Sequence, residues 1–218
     1  MPVANTTTPL TVVELFQSQG CSSCPPANAN VLALIDTAPD ALVLTYEVTY
    51  WDYLGWPDTF ARKAWDDRQR EYSAAFHNRS VYTPQVIVNG LANGVGSRKS
   101  ELQSLLREGQ AASPLPTGPL SVTLTSPNHI TVRGPADARA LVQLVLYDPT
   151  THDVAIARGE NGGRTIPHRN VVRELVVLGW WEGGELSFAL PERPADGLNA
   201  AILVQKGRGG PVLGAVRV

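Results

Sequence analysis

Cys21-Ser22-Ser23-Cys24 is the feature that most constrains this chain. These are its only cysteines, and they stand where a strand should pass into a helix. Upstream, Thr11-Val12-Val13-Glu14-Leu15-Phe16 is β-branched and apolar and reads as a strand. Gln17-Ser18-Gln19-Gly20 is a polar turn, and after Pro25-Pro26 the run from Ala27 to Ile35 reads as a helix. A helix start carries partial positive charge and unpaired N–H groups. Both favour the thiolate, the reactive form of cysteine.

Three readings compete for the pair. A disulfide closing so short a loop contributes about 2 kcal/mol by chain entropy, a weak staple for 218 residues. A closed zinc site needs more ligands than two cysteines supply, and His77, His129, His152 and His168 form no pair at ligand spacing on one helix. A dithiol that cycles with a disulfide fits the strand–turn–helix setting best.

The net charge of −2 gives no electrostatic case for nucleic acid. No apolar run approaches the ~20 residues of a membrane span. Met1 to Pro9 has neither a basic start nor an apolar stretch and does not read as a signal peptide. A lone redox pair fits a cytoplasmic or an oxidising compartment equally.

The first half alternates strand and helix. Ala41 to Val48 reads as a largely buried strand, Tyr50 to Asp58 as an aromatic-rich loop, and Thr59 to Phe76 as a helix. Val86-Ile87-Val88 is a short strand, Asn89-Gly90 a turn, and Arg98 to Gly109 an amphipathic helix. Gln110 to Pro119 has linker composition. Beyond it the apolar period becomes two. Leu120 to Leu124, Ile130 and Val132, Ala140 to Tyr147, Val171 to Leu178, Glu185 to Leu190, Ala200 to Gln205 and Val212 to Val218 are strand candidates. Arg158 to Arg164 is glycine-rich but lacks the lysine and spacing of a P-loop, and reads as a hairpin loop.

Several blocks carry a resemblance: Val13 to Pro26, Tyr50-Trp51-Asp52-Tyr53-Leu54-Gly55-Trp56, Val81-Tyr82-Thr83-Pro84-Gln85, Arg158 to Arg164 and His168 to Arg173. On these the first half resembles the thioredoxin fold, and the whole chain resembles the DUF1223 family of thioredoxin-like proteins. The resemblance implies a thioredoxin-like α/β domain with an aromatic-rich insertion over residues 1–112. A linker over 113–119 and an antiparallel β-sandwich-like domain over 120–218 would follow. It also implies a periplasmic or secreted protein, with no established substrate.

The resemblance further implies a cis-proline at Pro84 opposite the cysteines, with Thr83 beside it. Glu14 either moves the proton of the second cysteine, as a buried acid does in thioredoxins, or faces solvent at a strand end. Trp51, Tyr53 and Trp56 either wall a substrate groove or belong to the core. His168 approaches the dithiol only if the two halves pack together.

The function expected is thiol–disulfide exchange on a protein or small-thiol substrate with a redox partner and no cofactor. Cys21 attacks, Cys24 resolves, Pro84 and Glu14 assist, and Thr83, Trp51 and Trp56 contact substrate. The alternatives are a soft-metal site, with Cu(I) on the dithiol and a histidine as third ligand, and a non-catalytic thioredoxin-like interaction module.

Overall fold

The structure, a computed structural model, describes residues 10–111, 120–191 and 197–218. In chain order the elements are β1 (Thr11–Gln17), α1 (Cys24–Thr37), β2 (Ala41–Glu47), α2 (Lys63–Ala75), β3 (Gln85–Val88), β4 (Ala92–Gly94) and α3 (Lys99–Ala111). There follow β5 (Ser121–Ser126), β6 (His129–Gly134), β7 (Ala140–Asp148), β8 (His152–Ala155), β9 (Thr165–His168), β10 (Val171–Trp181), β11 (Gly184–Ala189), β12 (Asn199–Gln205) and β13 (Val212–Arg217). The linker expected over 113–119 lies outside the described residues.

Eight strands form one mixed sheet in the order β13-β12-β7-β10-β2-β1-β3-β4. β2 runs parallel to β1, and β10 meets β2 in parallel at Val171 and Thr45. β11, β6 and β5 make a smaller sheet, and β8 with β9 a hairpin. This overturns the expected thioredoxin-like α/β domain followed by an antiparallel sandwich. Strand makes up 41% of the described residues against 22% helix, and the large sheet takes strands from both sides of the linker. The signal was present in composition: Ala140-Leu141-Val142-Gln143-Leu144-Val145-Leu146-Tyr147 is nearly continuous in apolar residues and buried throughout. Such a run belongs to a strand covered on both faces, whereas a half-exposed sandwich strand alternates.

The faces sort by parity. Val12 and Phe16 of β1 pack with Trp65 and Tyr72 of α2 and with Val145, Tyr147 and Leu203. Val13 and Leu15, pointing the other way, pack against Val31 of α1 and Leu102 and Leu105 of α3. Val142, Leu144 and Leu146 likewise turn away from the α2 side and meet Val122, Ile130 and Phe188 of the small sheet. So α2 covers one face, and α1, α3 and the small sheet cover the other. Each fully buried aliphatic or aromatic side chain contributes about 1.5–3 kcal/mol.

Local chemistry explains the element ends. Pro25 and Pro26 occupy the first turn of α1, where an N–H would lack a helical partner anyway. Asn89 and Gly90 both take positive φ, 51° and 64°, and turn β3 into β4. Gly209, at φ +67°, lets the β12–β13 loop lie on α2: a Cβ there would sit 2.3 Å from the backbone carbon of Glu71. Gly209→Ala is therefore expected to destabilise the protein by about 1–3 kcal/mol, the range for a strained left-handed position, read as a lower melting temperature. An unchanged melt would mean the loop does not bear on α2.

Candidate functional site

Cys21 and Cys24 are joined as a disulfide, with Cα atoms 5.5 Å apart. They are 4% and 2% exposed. The Ser23 hydroxyl oxygen lies 3.3 Å from Cys21 Sγ and 3.4 Å from the Thr83 carbonyl oxygen, between the sulfur and the peptide preceding Pro84. The Thr83–Pro84 bond is cis. Trp51 Nε1 donates to Thr83 Oγ1 at 2.7 Å, and the Trp51 ring lies beside Tyr50 and Tyr53. Tyr53 is 76% exposed at this rim. Trp56 Nε1 donates to Gln19 Oε1 at 2.9 Å. Thr83, Pro84, Trp51 and Trp56 thus gather around the cysteines, either directly or through the turn before them.

Glu14 does not join them. It is 1% exposed, on the α2 face of β1, where Arg68 Nε and Nη2 each approach its Oε1 at 2.8 Å and the Tyr72 hydroxyl donates to its Oε2. It is neither beneath the dithiol helix nor at a solvated strand end.

A different acid lies on the α1 side. Gln17 and Glu47 end their strands as register partners, so their side chains share a face. Gln17 Nε2 donates to Glu47 Oε1 at 2.9 Å and to Asn28 Oδ1 at 3.0 Å. Asn28 is one helical turn beyond Cys24 and therefore on its side of α1. His168 Nδ1 lies 3.1 Å from Glu47 Oε1. Asp58 accepts from the backbone N–H groups of Gln19 and Phe60. All six of Gln17, Gln19, Asn28, Glu47, Asp58 and His168 are buried. Glu47 Oε2 and His168 Nε2 have no hydrogen-bond partner among the described residues.

The β8–β9 hairpin closes the site from above. Asn161, fully buried, donates from Nδ2 to the carbonyls of Gln19 and Cys21, both at 2.9 Å. Ser22 Oγ donates to Glu160 Oε2 at 2.6 Å. Asn28 Nδ2 donates to the Pro167 carbonyl at 2.7 Å. Gly159 packs on Trp56 and the Leu54 carbonyl. The glycine-rich stretch is thus a hairpin loop, and it is laid on the cysteines. Among the described residues no group of three or more His, Cys, Asp or Glu side chains is arranged to hold a metal ion, and no helix is long and apolar enough to cross a membrane.

The sequence profile of a family described as "Protein of unknown function (DUF1223)" matches residues 12–205, nearly the whole described chain. The chain belongs to this family. Comparison with the curated proteins gives no match. The DUF1223 chain is similar to a crystal structure of an Agrobacterium tumefaciens protein. The two share 27% identity over 97% of this chain and 95% of that one, with a TM-score of 0.78. It is also similar in fold to HBP35 of Porphyromonas gingivalis, at 12% identity over 98% of this chain and 76% of that one, with a TM-score of 0.58.

The electrostatics of the DUF1223 site centre on the buried group. Burial, then the charge of Glu47, push the Asp58 carboxyl from 3.8 up to about 8. Burial pulls the His168 imidazole down, but the charge and hydrogen bond of Glu47, with Asp58, outweigh it and hold His168 above its ordinary value. Both groups bind their proton more tightly folded than unfolded. Between about pH 4 and pH 8 an unfolded Asp58 has lost its proton while the folded one keeps it, so stability falls as pH rises through that window. His168 adds a loss of the same sign above about pH 6.5. The melting temperature of the wild type relative to Asp58→Asn is therefore expected to fall steadily from about pH 5 to pH 8. Melting curves at several pH values check this; a constant difference would show that Asp58 does not titrate in that window.

Proposed function

We propose that this DUF1223 protein is a thiol–disulfide oxidoreductase acting through Cys21 and Cys24. One observation carries the reading: the helix that the disulfide opens is tied through Asn28 and Gln17 to buried Glu47 and His168, and the turn before it through Gln19 to buried Asp58. A structural staple has no use for such a group, because burying incompletely paired ionisable side chains costs free energy. A dithiol does have a use for it, since forming the disulfide releases two protons.

In the reaction the Cys21 thiolate attacks one sulfur of a substrate disulfide. A mixed disulfide forms and the other substrate sulfur leaves as a thiolate. Cys24 then gives up its proton toward the Glu47–Asp58–His168 side and attacks Cys21 Sγ. The Cys21–Cys24 bond closes, and the first substrate sulfur leaves as a second thiolate, which takes its proton from solvent. A partner dithiol returns two electrons and two protons to the protein. Thr83, Pro84, Trp51 and exposed Tyr53 line the approach to Cys21 and would meet the substrate; Trp56 acts through Gln19. The proton-handling role expected of Glu14 passes to Glu47 and its neighbours.

Equilibration of the protein with glutathione redox buffers tests the reading. The disulfide fraction, read by mass shift after alkylation, should follow a single two-electron curve. A pair that stays locked in one state across all buffers would defeat it.

A further inference from the structure

Glu160 lies 138 residues beyond Ser22, yet its Oε2 accepts the Ser22 hydroxyl at 2.6 Å and faces the Ser22 backbone N–H at 3.4 Å. Ser22 follows Cys21 directly and, with Ser23, leads into α1 at Cys24. A carboxylate held on Ser22 therefore lies just ahead of the positive helix start that favours a Cys21 thiolate. Asn161, the next residue, is fully buried and fixes the Cys21 carbonyl, so the carboxylate is held in place by the loop and does not merely wander over the surface. The other ionisable groups are Arg164, bonded to Asn161 Oδ1 at 3.2 Å, Arg158 on the same loop, and buried Asp58, which accepts the Gln19 N–H and stays protonated up to about pH 8.

We propose that Glu160 sets the electron-donating strength of the dithiol by competing with the Cys21 thiolate for the positive start of α1. This rests on the exchange reading above. The Glu160 carboxylate, held on the Ser22 hydroxyl, offsets the positive helix start and repels a second negative charge beside it. The thiolate is disfavoured, and with it the reduced protein. The dithiol therefore parts with its two electrons and two protons more readily, which makes it a stronger reductant. The β8–β9 hairpin then acts on the chemistry as well as on shape.

Glu160→Gln tests this, because it removes the charge, keeps the size, and alters an exposed side chain. Arg158, Arg164 and Asp58 stay constant between the two proteins. The first readout is thiolate absorbance of the chemically reduced protein against pH. The second is the equilibrium with glutathione, in which dithiol and glutathione disulfide give protein disulfide and two glutathione thiols. At low salt the variant should carry about two- to fivefold more thiolate at a given sub-saturating pH. Read at a pH above the Cys21 titration, its glutathione equilibrium should shift toward the dithiol by a similar factor, about 10–20 mV at 29.6 mV per tenfold. Both differences should shrink near 1 M salt, where screening acts over about 3 Å. Identical thiolate curves and equilibria, or a shift the opposite way, would overturn the proposal. A wild type that never equilibrates with glutathione, while its thiolate still responds to Glu160→Gln, would remove the exchange reading and keep the charge effect.

Discussion

Cys24→Ser is expected to convert a transient covalent complex into a stable one. If Cys21 attacks, the mixed disulfide is normally removed by Cys24, a few ångströms away and effectively at very high local concentration. A serine there cannot act as the resolving thiol, so release waits for an external one. Lysate incubated with the variant should yield disulfide-linked partners at least about tenfold above the wild type, all released by reductant. The Cys21→Ser, Cys24→Ser protein is the control, because it keeps the surroundings of the site and lacks both sulfurs. Trapping no greater than this control would remove protein disulfides as substrates. Trapping by Cys21→Ser in place of Cys24→Ser would exchange the two roles. The near-equal burial of the two sulfurs, 4% and 2% exposed, makes the role assignment worth this direct test.

What the sequence disclosed of the site was local. The cysteines, the proline-started helix, the Asn89-Gly90 turn and the hairpin loop at Arg158 to Arg164 follow from neighbours within a few residues. The acid tied to α1 through Gln17 and Asn28 did not. Glu14 attracts attention because it interrupts an apolar strand, but its parity places it on the α2 face with Arg68. Glu47 lies at the end of β2 and looks like a strand-end charge. Its position is decided by pairing with Gln17 across two parallel strands and by His168, 121 residues away. The one available hint was that Gln17 and Glu47 each close an apolar strand, as two polar residues on one face do when they border a site.

The fold expectation failed for the same reason. Periodicity says whether a strand is covered on one face or two, but not which strand lies beside it. β10 joins β2 across more than a hundred residues, anchored where the Thr45 N–H donates to the Asn170 carbonyl at 3.0 Å and the Thr45 hydroxyl to the Arg169 carbonyl at 3.0 Å. Neither bond leaves a mark on the local pattern. That junction brings His168 and the hairpin to the cysteines, so strand order and site were missed together.

Glu14→Gln is expected to cost the protein much stability and little chemistry. Arg68 is 5% exposed, and Glu14 is its carboxylate partner. Tyr72 donates to Glu14, while Arg68 Nη2 and Gln205 Nε2 donate to the Tyr72 hydroxyl, so β1, α2 and β12 meet in one buried network. Removing one charge leaves the Arg68 guanidinium buried without compensation, at a cost of about 3–5 kcal/mol. For a chain of this size that corresponds to a melting temperature lower by about 6–20 °C. Glu14→Leu combined with Arg68→Met should recover most of the loss, since replacing both charges leaves neither stranded. Below its melting temperature the Glu14→Gln protein should exchange disulfides within about twofold of the wild-type rate, because Glu14 faces away from α1. Melting curves and rates measured on the same samples separate the two roles. A protein of normal stability but much slower exchange would return Glu14 to the chemistry. An unstable protein with a normal rate makes it the anchor of α2.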